Sequence, residues 1–161
     1  MEYLELFKKL EEKQVRYLIC GGLAVNIYGI PRMTADIDLL LDFTEENIDK
    51  FENALKTLMY QSKIPVSLKT FVSKDERQRA IMDKNLIAYS YFNSRSNYMS
   101  LDVLIDVPIL FDDLWCNKQN RVVEGISVNL VSIENLIDLK QYANRKQDQD
   151  DIILLSKLIK R

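Results

Sequence analysis

The chain contains no histidine. That absence removes histidine general bases, Ser-His-Asp triads and histidine-ligated zinc together, so any catalysis must rest on carboxylates, metal ions and cations. Cysteine is nearly missing as well. Cys20 and Cys116 lie in or beside apolar stretches and form no spaced framework, which reads as reduced core thiols of a cytosolic protein. With 3 prolines and 4 glycines in 161 residues, collagen-like and low-complexity chains are excluded. No apolar run approaches the roughly 18 residues that a membrane span needs, and the opening MEYLELFKKLEEK lacks a basic leader followed by an apolar block. The expectation is a cytoplasmic protein with no membrane partner. Excess positive charge is also lacking: the formal charge is −2, so a nucleic acid would have to be gripped by a local patch instead of a basic surface.

What is present suits a globular fold. The sequence is 47% hydrophobic and 29% charged, and a chain of this length buries roughly 70% of the surface its unfolded form exposes. Tyr3, Leu6, Phe7 and Leu10 recur at helical spacing. Val15 to Cys20 reads as a buried strand ending at Gly21-Gly22, followed by a short helix from Gly22 to Tyr28 closed by Gly29. Pro31 forces Ile30 out of helical geometry, so 29–35 is a loop returning to a strand from Asp36 to Leu41. Thr44 caps a helix with a stripe of Ile48, Phe51, Leu55 and Leu58, and Tyr60 to Val66 reads as a linker. Ser73 to Asp83 reads as a solvated helix, its cations interleaved with Asp75, Glu76 and Asp83. Leu86 to Phe92 and Tyr98 to Asp106 form a predicted hairpin joined by 93–97, and Arg121 to Val123 turns at Glu124-Gly125 into Ile126 to Val131. Ser132 caps a helix carrying Ile133, Leu136, Ile137 and Lys140, and a last helix starts at Asp148 or Asp150. The pattern is α+β: a mixed β-sheet with helices packed on it.

Two features carry chemistry. Alternate strand residues share a face, so Asp36 and Asp38 point one way while Ile37, Leu39 and Leu41 point into a core. Asp102 interrupts an otherwise apolar strand, where a carboxylate is costly unless paired or bound to metal, and is the best third member of a carboxylate cluster; Asp106 shares its face and is the fallback. Three carboxylates suit two magnesium ions roughly 3.5 to 4 Å apart, as transfer of a nucleotidyl group requires. Gly21-Gly22 lets backbone approach the phosphates of a nucleoside triphosphate, and Arg32 and Thr34 are placed to contact phosphate or ribose. Lys140 and Arg145 read either as nucleotide or acceptor contacts or as helix-surface cations, and Asp148 and Asp151 as helix-start charges favoured by the dipole.

Gly21, Gly22, Ala24, Gly29, Arg32, Thr34, Asp36 and Asp38 together resemble the glycine and Asp-x-Asp motif of the nucleotidyltransferase (polymerase-beta-like) superfamily, in particular small bacterial members related to abortive-infection and minimal nucleotidyltransferases of toxin-antitoxin systems. Ser132, Glu134, Leu136, Leu139, Lys140, Ala143, Arg145, Asp148 and Asp151 resemble a C-terminal segment of the same proteins, while Ser62 to Phe92 matches no motif. The resemblance implies a single nucleotidyltransferase domain over 1–161, with helices of 132–161 packed on it. It further implies that Asp36, Asp38 and Asp102 bind the metals, that Asp102 helps deprotonate the acceptor, and that Gly21 and Gly22 hold the triphosphate. The implied activity is magnesium-dependent transfer of a nucleoside monophosphate to a hydroxyl of a tRNA, protein or small molecule, within a toxin-antitoxin system that supplies a partner protein. One departure stands out: many catalytic relatives carry serine where this chain has Gly22. Together with the near-neutral charge, it motivates the alternative of a non-catalytic binding partner such as an antitoxin or scaffold.

Overall fold

The computed structural model describes residues 2–95 and 99–160. Its centre is β1 (Tyr17–Cys20), whose four residues are all buried, which is why the strand is apolar throughout instead of alternating. It follows α1 (Glu2–Glu12), which buries Leu6, Phe7 and Leu10, and leads straight into α2 (Gly21–Ile27). β2 (Asp36–Leu41) returns antiparallel to β1. Thr44 caps α3 (Glu45–Thr57) by accepting the Asn47 amide at 3.3 Å. The buried Asn47 side chain then ties the start of α3 to both strands, accepting from the Arg16 amide at 2.7 Å and donating to the carbonyls of Arg16 and Asp42 at 3.0 Å each.

Beyond α3 come β3 (Tyr60–Ser62), a 3-10 turn (Leu68–Val72), α4 (Lys74–Lys84), β4 (Ala88–Asn93) and β5 (Ser100–Leu104). The chain continues through α5 (Phe111–Cys116), β6 (Gln119–Val123), β7 (Ile126–Leu130), α6 (Ile133–Ala143) and α7 (Lys146–Ile159). The strands form one 7-stranded sheet in the order β3-β4-β5-β2-β1-β7-β6. β1 with β7 and β2 with β5 are parallel, and the remaining neighbours antiparallel, so the sheet is mixed as expected.

One face of this sheet is the main core. Ile37, Leu39, Leu101, Val103, Tyr89 and Tyr91 alternate onto it, all buried. α1 closes it through the stacked Phe7 and Tyr17 rings at 5.8 Å, α3 through the edge-on Phe51–Tyr91 pair at 5.9 Å, and the 3-10 turn through Phe71–Tyr89 at 5.9 Å. Burying each such side chain stabilises the fold by about 1.5–3 kcal/mol relative to exposure. The opposite face carries Cys20, Asp38 and Asp102.

The structure differs from the expected elements at several places, and of the two thiols expected in the core only Cys20 is buried, Cys116 at the end of α5 being exposed. Tyr60 to Ser62 is not linker but an edge strand, paired with β4 from Tyr60↔Asn93 to Ser62↔Tyr91; three mostly exposed residues carry no alternation to read. α5 had no sequence signal because it is a single six-residue helix; it is held by Arg16, which pairs with Asp112 at 2.8 Å and lies over the Phe111 and Trp115 rings. α7 begins at Lys146, ahead of both expected starts. Ser96 and Asn97 of the expected hairpin turn, and Tyr98 of its second strand, lie outside the described residues.

Candidate active site

Strand register builds the site. Cys20 is paired with Asp38 across β1 and β2, and Asp38 with Asp102 across β2 and β5. Neighbouring strands lie about 4.8 Å apart and equivalent parity means a common face, so Asp38 and Asp102 stand side by side. Asp36 is one step along the same face, opposite Ser100, whose hydroxyl donates to its carboxylate at 2.5 Å. Asp106 lies four residues beyond Asp102 and is engaged elsewhere, accepting a hydrogen bond from the Tyr142 hydroxyl at 2.8 Å.

The electrostatics of the pair are unfavourable as they stand. Burial pushes the Asp38 carboxyl up, the negative charge of Asp102 pushes it further, and Asp36 adds to this, while Arg145 and Lys140 pull it down. Oδ1 of Asp102 is buried with no hydrogen-bond partner, a cost of about 1–3 kcal/mol for a polar atom left unmade. Among the described residues no three histidine, cysteine or acidic side chains are gathered tightly enough to form a metal cage. The donor set at Asp38 and Asp102 nevertheless fits a hard divalent cation: carboxylate oxygens only, one of them orphaned, in mutual repulsion that a cation relieves.

Gly21 lies directly against Asp38. Its φ is +61°, and a Cβ there would fall 1.8 Å from Asp38 Oδ2. Both the left-handed backbone and the missing side chain are therefore required. Gly21→Ala is expected to destabilise the protein by more than about 2 kcal/mol, and thermal unfolding checks this; an unchanged melting temperature contradicts the geometry. Gly22 is closed in from the other side. A Cβ there would meet Thr34 Oγ1 at 2.8 Å and Arg32 Nη1 at 3.1 Å. Arg32 and Thr34 thus flank the glycine turn on a loop held by the Arg32 amide, which donates to Asn26 Oδ1 at 2.7 Å.

Lys140, Asp148 and Asp151 are not surface charges. All three are buried, at 3%, 1% and 4% exposure. Lys140 Nζ binds Asp148 at 3.1 Å and Asp151 at 2.7 Å; Asp151 also takes Arg32 at 2.6 Å, and Asp148 takes Arg145 at 2.9 Å. The five side chains form one chain of charge, Arg32–Asp151–Lys140–Asp148–Arg145, that fastens α6 and α7 to the loop beside the glycines. The reading of Asp148 and Asp151 as helix-start charges holds for Asp148, which lies in the first turn of α7, and needs correction for Asp151, which lies beyond it. Asp148 does accept the Arg145 amide at 3.2 Å at the start of α7, but its carboxylate is also sealed inside the cluster. A signal was present: Lys140 continues the Ile133, Leu136, Ile137 stripe, and Asp148, Asp151 and Leu155 share one helical face, so charges sat on lines that packing buries.

A mixed sheet with two carboxylates paired across parallel strands below a glycine turn defines a nucleotidyltransferase-type fold, and solved structures agree. ANT(2")-Ia, in complex with adenylyl-2"-tobramycin, is similar at TM-score 0.60 and 14% identity over 96% of this chain and 86% of that one. The lincosamide antibiotic adenylyltransferase LnuA, lincomycin-bound, is similar at 0.58 and 16%, covering 91% and 89%. TM1012 from Thermotoga maritima, classed only provisionally as a nucleotidyltransferase, is similar at 0.58 and 16%, covering 99% and 94%. At such identities the likeness is one of fold. None of the curated proteins matches by sequence. The model of the family described as "Nucleotidyl transferase AbiEii toxin, Type IV TA system" matches residues 6–151. The chain belongs to this AbiEii nucleotidyl transferase family.

Proposed function

We propose that the chain, as one nucleotidyltransferase domain, is a magnesium-dependent enzyme that transfers a nucleoside monophosphate from a nucleoside triphosphate to an acceptor hydroxyl, releasing pyrophosphate, as the toxin component of a toxin-antitoxin pair. The observation that carries this reading is the register pairing of Asp38 with Asp102, one oxygen orphaned, immediately below Gly21. Asp38 and Asp102, with Asp36 beside them, are the residues that would hold magnesium. Bound there, the metal would neutralise charge developing at the phosphoryl group and favour ionisation of the attacking hydroxyl.

The chain's own groups supply the rest. Gly21 and Gly22 present backbone to the triphosphate without a side chain intervening. Arg32 and Thr34 meet its oxygens from the loop, and Arg32 is oriented by Asp151. Lys140 and Arg145 place positive charge where Asp38 feels it, which partly offsets the push of burial and of Asp102 on its carboxyl. Asp102 would accept the acceptor proton, a role supported by its unpartnered oxygen. In the described residues no helix is long and apolar enough to cross a membrane, in keeping with a cytoplasmic site of action, where nucleoside triphosphates and hydroxyl acceptors meet.

The test is transfer of radiolabel from the α-phosphate of each ribonucleoside triphosphate, with magnesium, onto tRNA, lysate proteins or hydroxylated small molecules. Label in one acceptor class, abolished by chelating the metal, supports the proposal and names the acceptor. No label in any class, with no triphosphate binding by calorimetry, refutes it.

A further inference from the structure

We propose that the Thr34 hydroxyl performs, from the loop, the phosphate contact that a side chain at position 22 would otherwise make, and that Gly22 is glycine because that place is already filled. The inference rests on the triphosphate reading above and narrows it to one atom. The point where a residue 22 Cβ would sit lies 2.8 Å from Thr34 Oγ1, 3.0 Å from Thr34 Cβ and 3.1 Å from Arg32 Nη1. A hydroxyl and a guanidinium therefore converge on the bare backbone of Gly22. The Thr34 approach leaves no room for a side chain at 22 unless Thr34 moves, and Thr34 is short and β-branched with little freedom to swing aside.

Charge and hydrogen bonding favour an anion in this notch. The Thr34 proton is only loosely used, donated at 3.2 Å to the carbonyl of Asp36 at the start of β2. Nε of Arg32 is buried without a partner while Nη1 is held by Asp151. Arg32 and Thr34 also line an open surface hollow of about 740 Å³, shared with Asn26, Arg121, Glu124 and apolar side chains such as Val122, whose lining does not include Asp36, Asp38 or Asp102. Position within the site also assigns the phosphate. Gly21 touches Asp38, where the reacting phosphoryl group belongs in the proposed function; Gly22 is the next residue along the turn and Thr34 lies two residues before Asp36, so their notch would take a neighbouring phosphate of the triphosphate.

This reading turns the departure at Gly22 from a lost contact into a relocated one. It makes a specific demand on affinity. Calorimetry with magnesium and the preferred nucleotide would compare triphosphate with monophosphate binding in wild type, Thr34→Val and Thr34→Ser. Thr34→Val keeps the shape and removes the hydroxyl. It is expected to weaken triphosphate binding about tenfold while leaving the monophosphate unchanged, with Thr34→Ser recovering most of the loss. The pair Gly22→Ser with Thr34→Gly moves the hydroxyl back across the notch and is expected to bind the triphosphate better than Gly22→Ser alone. The inference is overturned if Thr34→Val binds the triphosphate like wild type, or weakens both nucleotides equally, as a merely structural role would. Absence of triphosphate binding in wild type instead overturns the underlying reading and this inference with it.

Discussion

Asp38→Asn is expected to reduce nucleotidyl transfer by at least about a thousandfold, some 4 kcal/mol of transition-state stabilisation, while raising the melting temperature of the metal-free protein. The two effects have one cause. Asp38 sits beside Asp102 and two residues from Asp36, on a face where burial already disfavours its charge. Without a cation the carboxylates repel, and replacing one with a neutral amide of the same shape relieves that repulsion. At about 1 kcal/mol the relief corresponds to roughly 2–4 °C for a chain of this size. With magnesium present the sign changes, because only wild type gains stability from binding the ion. Melting with and without magnesium, alongside the transfer assay, separates this from ordinary loss of packing. If Asp38→Asn retains transfer, or if magnesium stabilises both proteins equally, Asp38 is not part of a metal site.

Much of this site was legible before any coordinates. The double glycine stands out in a chain with 4 glycines, and alternation alone puts Asp36 and Asp38 on the face opposite Ile37 and Leu39. Asp102 was identifiable because a carboxylate inside Leu101–Val103–Leu104 is an anomaly that burial must explain. Its placement opposite Asp38 was not, since register between parallel strands depends on crossovers that no local pattern encodes. The hydroxyl of Ser100 on Asp36 was hidden for the same reason. β3 and α5 are too short to show a period. The charge cluster is the more instructive omission: Lys140 was read as a nucleotide or acceptor contact or a helix-surface cation, and Asp148 and Asp151 as helix-start charges, because such residues are almost never fully buried unless paired, and the partner that completes the pairing, Arg32, is more than a hundred residues away in sequence. Only the fold of α6 and α7 onto the loop after α2 brings them together.

That cluster underlies the other large effect. Lys140→Met is expected to destabilise the protein by about 3 kcal/mol, because it keeps the packing of the lysine stem but removes the cation shared by two buried carboxylates. At this size the loss corresponds to a melting temperature lower by roughly 6–12 °C. Asp148 then keeps only Arg145, and Asp151 only Arg32. The pH dependence follows with a definite sign. Burial works to raise the Asp148 carboxyl, but its hydrogen bonds from Arg145 and Lys140 outweigh this and hold it below the usual carboxylate range. A carboxyl lowered on folding contributes stability that is complete above its unfolded pKa, near 4, and lost as pH falls through the lower folded value. Wild type should therefore lose stability on acidification through that window, and Lys140→Met should lose less, having less of the contribution to begin with. A double-mutant cycle with Asp151→Asn is expected to be strongly non-additive, the pair costing less than the sum, since each change already leaves the other partner uncompensated. Additive effects, or a loss below about 1 kcal/mol in Lys140→Met, would mean that α6 and α7 are held on the loop by apolar packing alone. Arg32 would then owe its orientation beside Gly22 to its Asn26-anchored backbone instead of to Asp151.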